Sequence, residues 1–153
     1  MSAKSGISLQ CRLVQSLIKE DKTKGDAVIV TKFVGEAIVG LFKKFNTQLE
    51  DTVFKTAFWD SLKTGTIADL WVMTLKDAKS DEEFATIKGA VIDNIVIKLK
   101  EEGPEVTITV QHRHSKQQPS LEAAISTSVM LYLEKDIEIL PGVADAEQSE
   151  TAA

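Results

Sequence analysis

The chain has 153 residues, the length of one domain, and its 43% apolar and 27% charged content excludes the disordered and collagen-like classes. Eighteen Lys and Arg against 23 Asp and Glu give a net charge of -5, which disfavours polyanionic partners unless the basic groups gather on one patch. Residues 1–79 hold twelve basic and nine acidic side chains and residues 80–153 hold six and fourteen, so the acidity belongs to the second half.

The opening "MSAKSGISLQ" lacks the continuous apolar core of a signal peptide, and no stretch approaches the length needed to span a bilayer. With Cys11 as the single cysteine there is no internal disulfide, and the expectation is a cytoplasmic protein with no membrane contact.

In chain order, Leu9, Leu13, Val14, Leu17 and Ile18 recur at three- and four-residue steps, which predicts a first amphipathic helix ended by the polar run before Gly25. Asp26 is placed to cap a second helix whose stripe runs through Val30, Phe33, Val34, Ala37, Ile38, Leu41, Phe42 and Phe45. Its start, "AVIVTKFV", is rich in β-branched residues, so residues 27–34 are also readable as a strand. Val53, Phe54, Ala57, Phe58 and Leu62 predict a third helix closed by Gly65, and Ile67, Leu70, Trp71 and Leu75 a fourth. "SDEEF" reads as a capping box opening a helix from Ser80 to about Asp93.

Beyond it the period changes to two. Ile95, Ile97 and Leu99, then Val106, Ile108 and Val110, alternate with polar residues around "EEGP", the pattern of a β-hairpin. Leu121, Ala124, Ile125, Ser128, Leu131 and Tyr132 predict another helix with Pro119 in its first turn, and "DIEIL" a short strand. The fold expected is a helix-rich α+β domain over residues 1–140, with N-terminal antiparallel helices packed on a C-terminal hairpin and its flanking helices. The stretch 141–153 reads as a flexible acidic tail.

His112 and His114, two apart in "VTITVQHRHSK", share a face of the second hairpin strand, but a tetrahedral ion needs further ligands that no spacing nominates. They are read as closing a strand end, with neither metal nor cofactor expected. Cys11 has no accompanying base or nucleophile elbow and reads as buried and inert, and no catalytic residue is nominated. Gly35 and Gly40, in "GEAIVG", lack the lysine and hydroxyl of a phosphate loop and suggest close helix packing or an oligomer seam. Trp59 and Trp71 sit at stripe edges, where burial is the commoner fate and a partner anchor the alternative.

Lys98, Lys100 and Arg113 fall on the outer hairpin face with Thr107 and Thr109, and no aromatic is interleaved to stack a base. The reading that follows is a non-enzymatic protein acting through protein contacts, as a homo-oligomer, structural subunit or adaptor. The alternative is a nucleic-acid-binding accessory protein that binds weakly through that hairpin face.

Overall fold

The computed structural model describes residues 6–21, 26–56, 59, 61–113 and 116–135. They form seven strands and two short helices: β1 (Gly6–Asp21), β2 (Asp26–Glu36), α1 (Thr47–Lys55), β3 (Ser61–Lys63), β4 (Ile67–Asp77), β5 (Glu83–Lys100), β6 (Gly103–Arg113), α2 (Gln118–Ala123) and β7 (Ser128–Lys135). Every pairing is antiparallel, and the neighbours run β5-β4-β7-β1-β2-β6. A further β5–β6 ladder, from Val91 opposite Gln111 to Lys100 opposite Gly103, closes the row into a six-stranded barrel. β3 pairs with β5 at Val96, Ile97 and Lys98, on the side away from β6. The strand order puts the end of β6 and the start of β7, joined by α2, at one mouth. The end of β2 and the start of β4, joined through α1 and β3, lie at the other.

The helix-rich α+β expectation is therefore overturned: the protein is mainly antiparallel sheet, and the terms helical and α+β do not describe it. The reason lies in β-bulges, which insert odd steps into a period of two and produce apolar spacings that imitate a helix. In β1, Ile7, Leu9, Cys11 and Leu13 alternate inward, then a register shift at Val14 moves the phase so that Ser16 faces the interior. In β5, shifts between Ile87 and Ala90 and between Ile92 and Asn94 space the buried residues as Ala85, Ile87, Ala90, Ile92, Ile95 and Ile97. The extra residues bend the long strand so that it meets β4 along its first half and β6 along its second.

The other predicted helices fail for local reasons. Of "SDEEF", residues 80–82 belong to the β4–β5 turn and Glu83 and Phe84 open β5, because the Asp77 carboxylate accepts hydrogen bonds from the Lys79 and Ser80 amides and from the Ser80 hydroxyl. The strand reading of residues 27–34 is the one the fold adopts. Leu41 and Phe42, assigned to the same stripe, instead lie on turns that reach back into the core. The expected third helix exists only as α1, capped by the Asn46 side chain on the Leu49 amide. The last predicted helix shortens to α2 and gives way to β7, where Val129, Leu131 and Leu133 alternate inward. The expected hairpin is present as β5 and β6. The predicted strand at "DIEIL", His114 and the tail lie outside the described residues.

One core fills the barrel: Phe33, Met73, Leu75, Ile92, Ile95, Ile108 and Leu131 inside, with Phe42 and Val53 from the α1 side and Leu121 from α2. The turns before α1 are fixed by Glu50, whose buried carboxylate accepts from the Gly40 amide at 2.7 Å and the Phe42 amide at 2.9 Å. Gly40 adopts φ +94° there, a conformation suited to glycine. At Gly35 a methyl group would lie 2.9 Å from both the Cys11 Cβ and the Gln10 carbonyl oxygen, so β1 and β2 approach as closely as a bare backbone allows. Gly35→Ala should therefore lower stability by about 1–3 kcal/mol, because a backbone oxygen cannot step aside. Urea unfolding should show an earlier midpoint at unchanged slope.

Candidate functional site

Four polar side chains from three strands and α2 meet inside the α2 mouth. Gln118 Nε2 donates to Ser16 Oγ at 2.9 Å, Ser16 Oγ lies 3.0 Å from Thr31 Oγ1, and Thr31 Oγ1 lies 2.7 Å from His112 Nε2. His112 Nδ1 meets the Arg113 carbonyl oxygen at 3.1 Å, and that oxygen can only accept, so Nδ1 carries the proton. Burial disfavours the imidazolium, which leaves Nε2 as the acceptor for the Thr31 hydroxyl. Thr31 then accepts from Ser16, and Ser16 from Gln118. One carbonyl sets the direction of the whole chain.

A hydroxyl bonded to a histidine is the elementary unit of a nucleophile and its base, but Thr31 is 0% exposed and His112 3%. No substrate reaches this pair in the closed barrel, so the chain is a structural device. Cys11 is equally sealed, with desolvation pushing its thiol up to about 12, far from the thiolate that reacts.

The opposite mouth is open. Between α1, β3, β4 and the end of β7 lies a cavity of about 530 Å³ whose apolar walls are Phe45, Leu49, Leu62, Ile67 and Trp71. Phe45 and Trp71 meet with ring centroids 5.6 Å apart and planes tilted by 42°. The charged lining is Lys63, Asp69 and Lys135, the last two bridged at 3.6 Å. Barrel mouths are among the places where small-molecule sites form, and the volume falls within their usual range.

The residues singled out from sequence are dispersed. Trp71 is 2% exposed within the mouth, whereas Trp59 is half-buried and donates Nε1 to the Val53 carbonyl at 3.3 Å. Gly35 lies inside β2 and Gly40 on a turn, so the helix face proposed to carry them does not form. Lys98, Lys100 and Arg113 do not cluster. Lys98 is in register with Glu105 and Lys100 with Gly103, while Arg113 stands eight residues further along β6, roughly 26 Å away at the strand rise.

His112 turns inward with both ring nitrogens engaged, and among the described residues no three His, Cys, Asp or Glu side chains gather to hold an ion. Sequence reasoning missed Ser16, Thr31 and Gln118, and also Phe45, Lys63, Asp69 and Lys135. Polar residues at inward parity are recognisable only once the strands and their bulges are placed.

Compared with models of known protein families, with curated proteins and with solved structures, the chain finds no match in any of the three. No described helix is long and apolar enough to cross a membrane.

The polar chain has a measurable signature. Desolvation, only partly opposed by the bond to Arg113, holds His112 below the ordinary imidazole value of 6.5. As pH falls, the unfolded chain takes up the proton first, so His112 contributes its full stability above that value and loses it as pH falls towards the folded pKa. The melting temperature should drop between about pH 7 and about pH 5. In His112→Gln it should start lower and fall less over that window. Asp77, held below the usual carboxylate range by its bonds from Ser80, titrates below that window.

Proposed function

We propose that the protein acts through protein contacts rather than catalysis, and that its partner is a second copy of itself joined along β1. The observation that carries this reading is the unpaired second half of that strand. β7 accompanies β1 only from Gly6 to Arg12, and the Leu13 amide and carbonyl are met by Thr127 and Ser126. Beyond that point, among the described residues, β2 alone pairs with β1, out to Asp21. The free side of this segment coincides with two of the largest exposed apolar side chains, Leu17 at 58% and Ile18 at 59%.

An edge with unpaired amides and carbonyls is a template for another strand, and proteins normally blunt such edges with charge or proline. Here Leu17 and Ile18 are apolar, and the charged residues Lys19, Glu20 and Asp21 come only after them at the strand's end. Antiparallel pairing is self-complementary, because one segment serves as both halves of a two-fold contact, which favours a second copy over an unrelated strand. The sealed thiol of Cys11 is in keeping with the cytoplasmic setting inferred from a single cysteine.

Light scattering coupled to gel filtration should give a dimer at micromolar concentration. Leu17→Lys with Ile18→Lys should give a monomer with an unchanged circular dichroism spectrum, since both side chains are more than half exposed. A monomeric mass for the unaltered protein up to near-millimolar concentration would sink the proposal.

A further inference from the structure

We infer that the mouth cavity beneath α1 is a binding site for a small, flat organic anion, an aromatic or similarly planar acid. The walls supply the apolar part of the recognition: Phe45 and Trp71 form a tilted aromatic corner, and Leu49, Leu62 and Ile67 line the rest. A volume of about 530 Å³ falls within the range of pockets that hold one organic ligand.

The polar atoms define the ligand further. The Asn46 oxygen is spent on the Leu49 amide, and the Thr52 hydroxyl on the Gln48 carbonyl. The Thr64 hydroxyl donates to the Gly65 carbonyl and accepts from the Ile95 amide. Trp71 differs, because its indole Nε1 is buried and has no hydrogen-bond partner. That atom is covered and is not reached from the cavity, so the charged donors left for a ligand are the lysines at the rim.

The charge balance points the same way. Lys63 and Lys135 present two ammonium groups to the cavity against the single carboxylate of Asp69, which bridges Lys135. The described lining therefore carries surplus positive charge in a chain whose net charge is -5. A carboxylate or sulfonate on a flat apolar body would meet the lysines at the rim and lay its rings against the corner that Phe45 and Trp71 form.

The test uses the full-length protein and two fluorescent probes with related rings, anilinonaphthalene sulfonate and uncharged phenylnaphthylamine. The sulfonate should bind saturably at one site per chain, with enhanced emission and quenching of tryptophan fluorescence, and more tightly than the neutral probe. Lys63→Gln with Lys135→Gln, both at the rim, should weaken the sulfonate by roughly tenfold or more and leave the neutral probe unaffected.

Equal affinity for both probes, sulfonate binding indifferent to the double lysine change, or no saturable binding would each overturn the inference. The monomeric Leu17→Lys, Ile18→Lys protein should bind the sulfonate as the parent does. That arm separates the cavity from the β1 edge, so either reading can fail without the other.

Discussion

Closure of the sheet through β5 is the constraint on which the remaining structure depends. The same strand pairs with β4 near its start and with β6 near its end, and it does so only because two bulges turn it. Removing the second ladder would leave an open sheet with β5 and β6 at its edges and one face of Ile92, Ile95, Ile97, Ile108 and Val110 exposed to water. Each of those side chains contributes about 1.5–3 kcal/mol by being buried, so closure and core formation are one event. The same bending leaves room for β3 beside the second half of β5, and the α1 mouth opens under that short strand.

A closed interior has to be filled, and here it is filled in two ways. Most of it is aliphatic, but the α2 mouth holds a four-residue polar chain whose direction is set at the Arg113 carbonyl. Such a chain tolerates change poorly at one position and well at all four. Thr31→Val would leave an acceptor on His112 and a donor on Ser16 unanswered, each at about 1–3 kcal/mol, whereas replacing the whole set with apolar groups of matching shape could be nearly neutral. The free Gln118 Oε1 shows that even the present chain is satisfied at every member but its last atom.

Legibility in the sequence followed the absence of bulges. The segment from Ile95 to Val110 alternates without interruption past Asn94, and its hairpin was readable. The β1 and β5 segments carry equally regular interiors, yet one extra residue at Val14 and two shifts in β5 broke their inward sets with steps of three, and in β1 the exposed Leu17 and Ile18 completed a helix-like spacing. In β2 the β-branched run "AVIVTKFV" was the truer signal, and the apolar turns after it extended a stripe that was never helical. The mouth cavity was illegible for a different reason: Phe45, Lys63, Asp69, Trp71 and Lys135 come from four separate elements and connections, and only the closed register brings them together.

The pairing of β1 with β7 also has a consequence in time. Gly6 lies opposite Glu134, so the earliest described strand takes its second neighbour from the last one. A ribosome extends a chain by roughly 5–20 residues per second, so β1 and β2 emerge and pair several seconds before β7 exists. During that interval the whole length of β1 is one-sided, including Leu9, Cys11 and Leu13, which the finished barrel hides. The nascent protein is thus more prone to strand exchange than the mature one. Its slowest step should be insertion of β7 between β1 and β4, a contact of long sequence separation that cannot be hastened by stabilising the early hairpin.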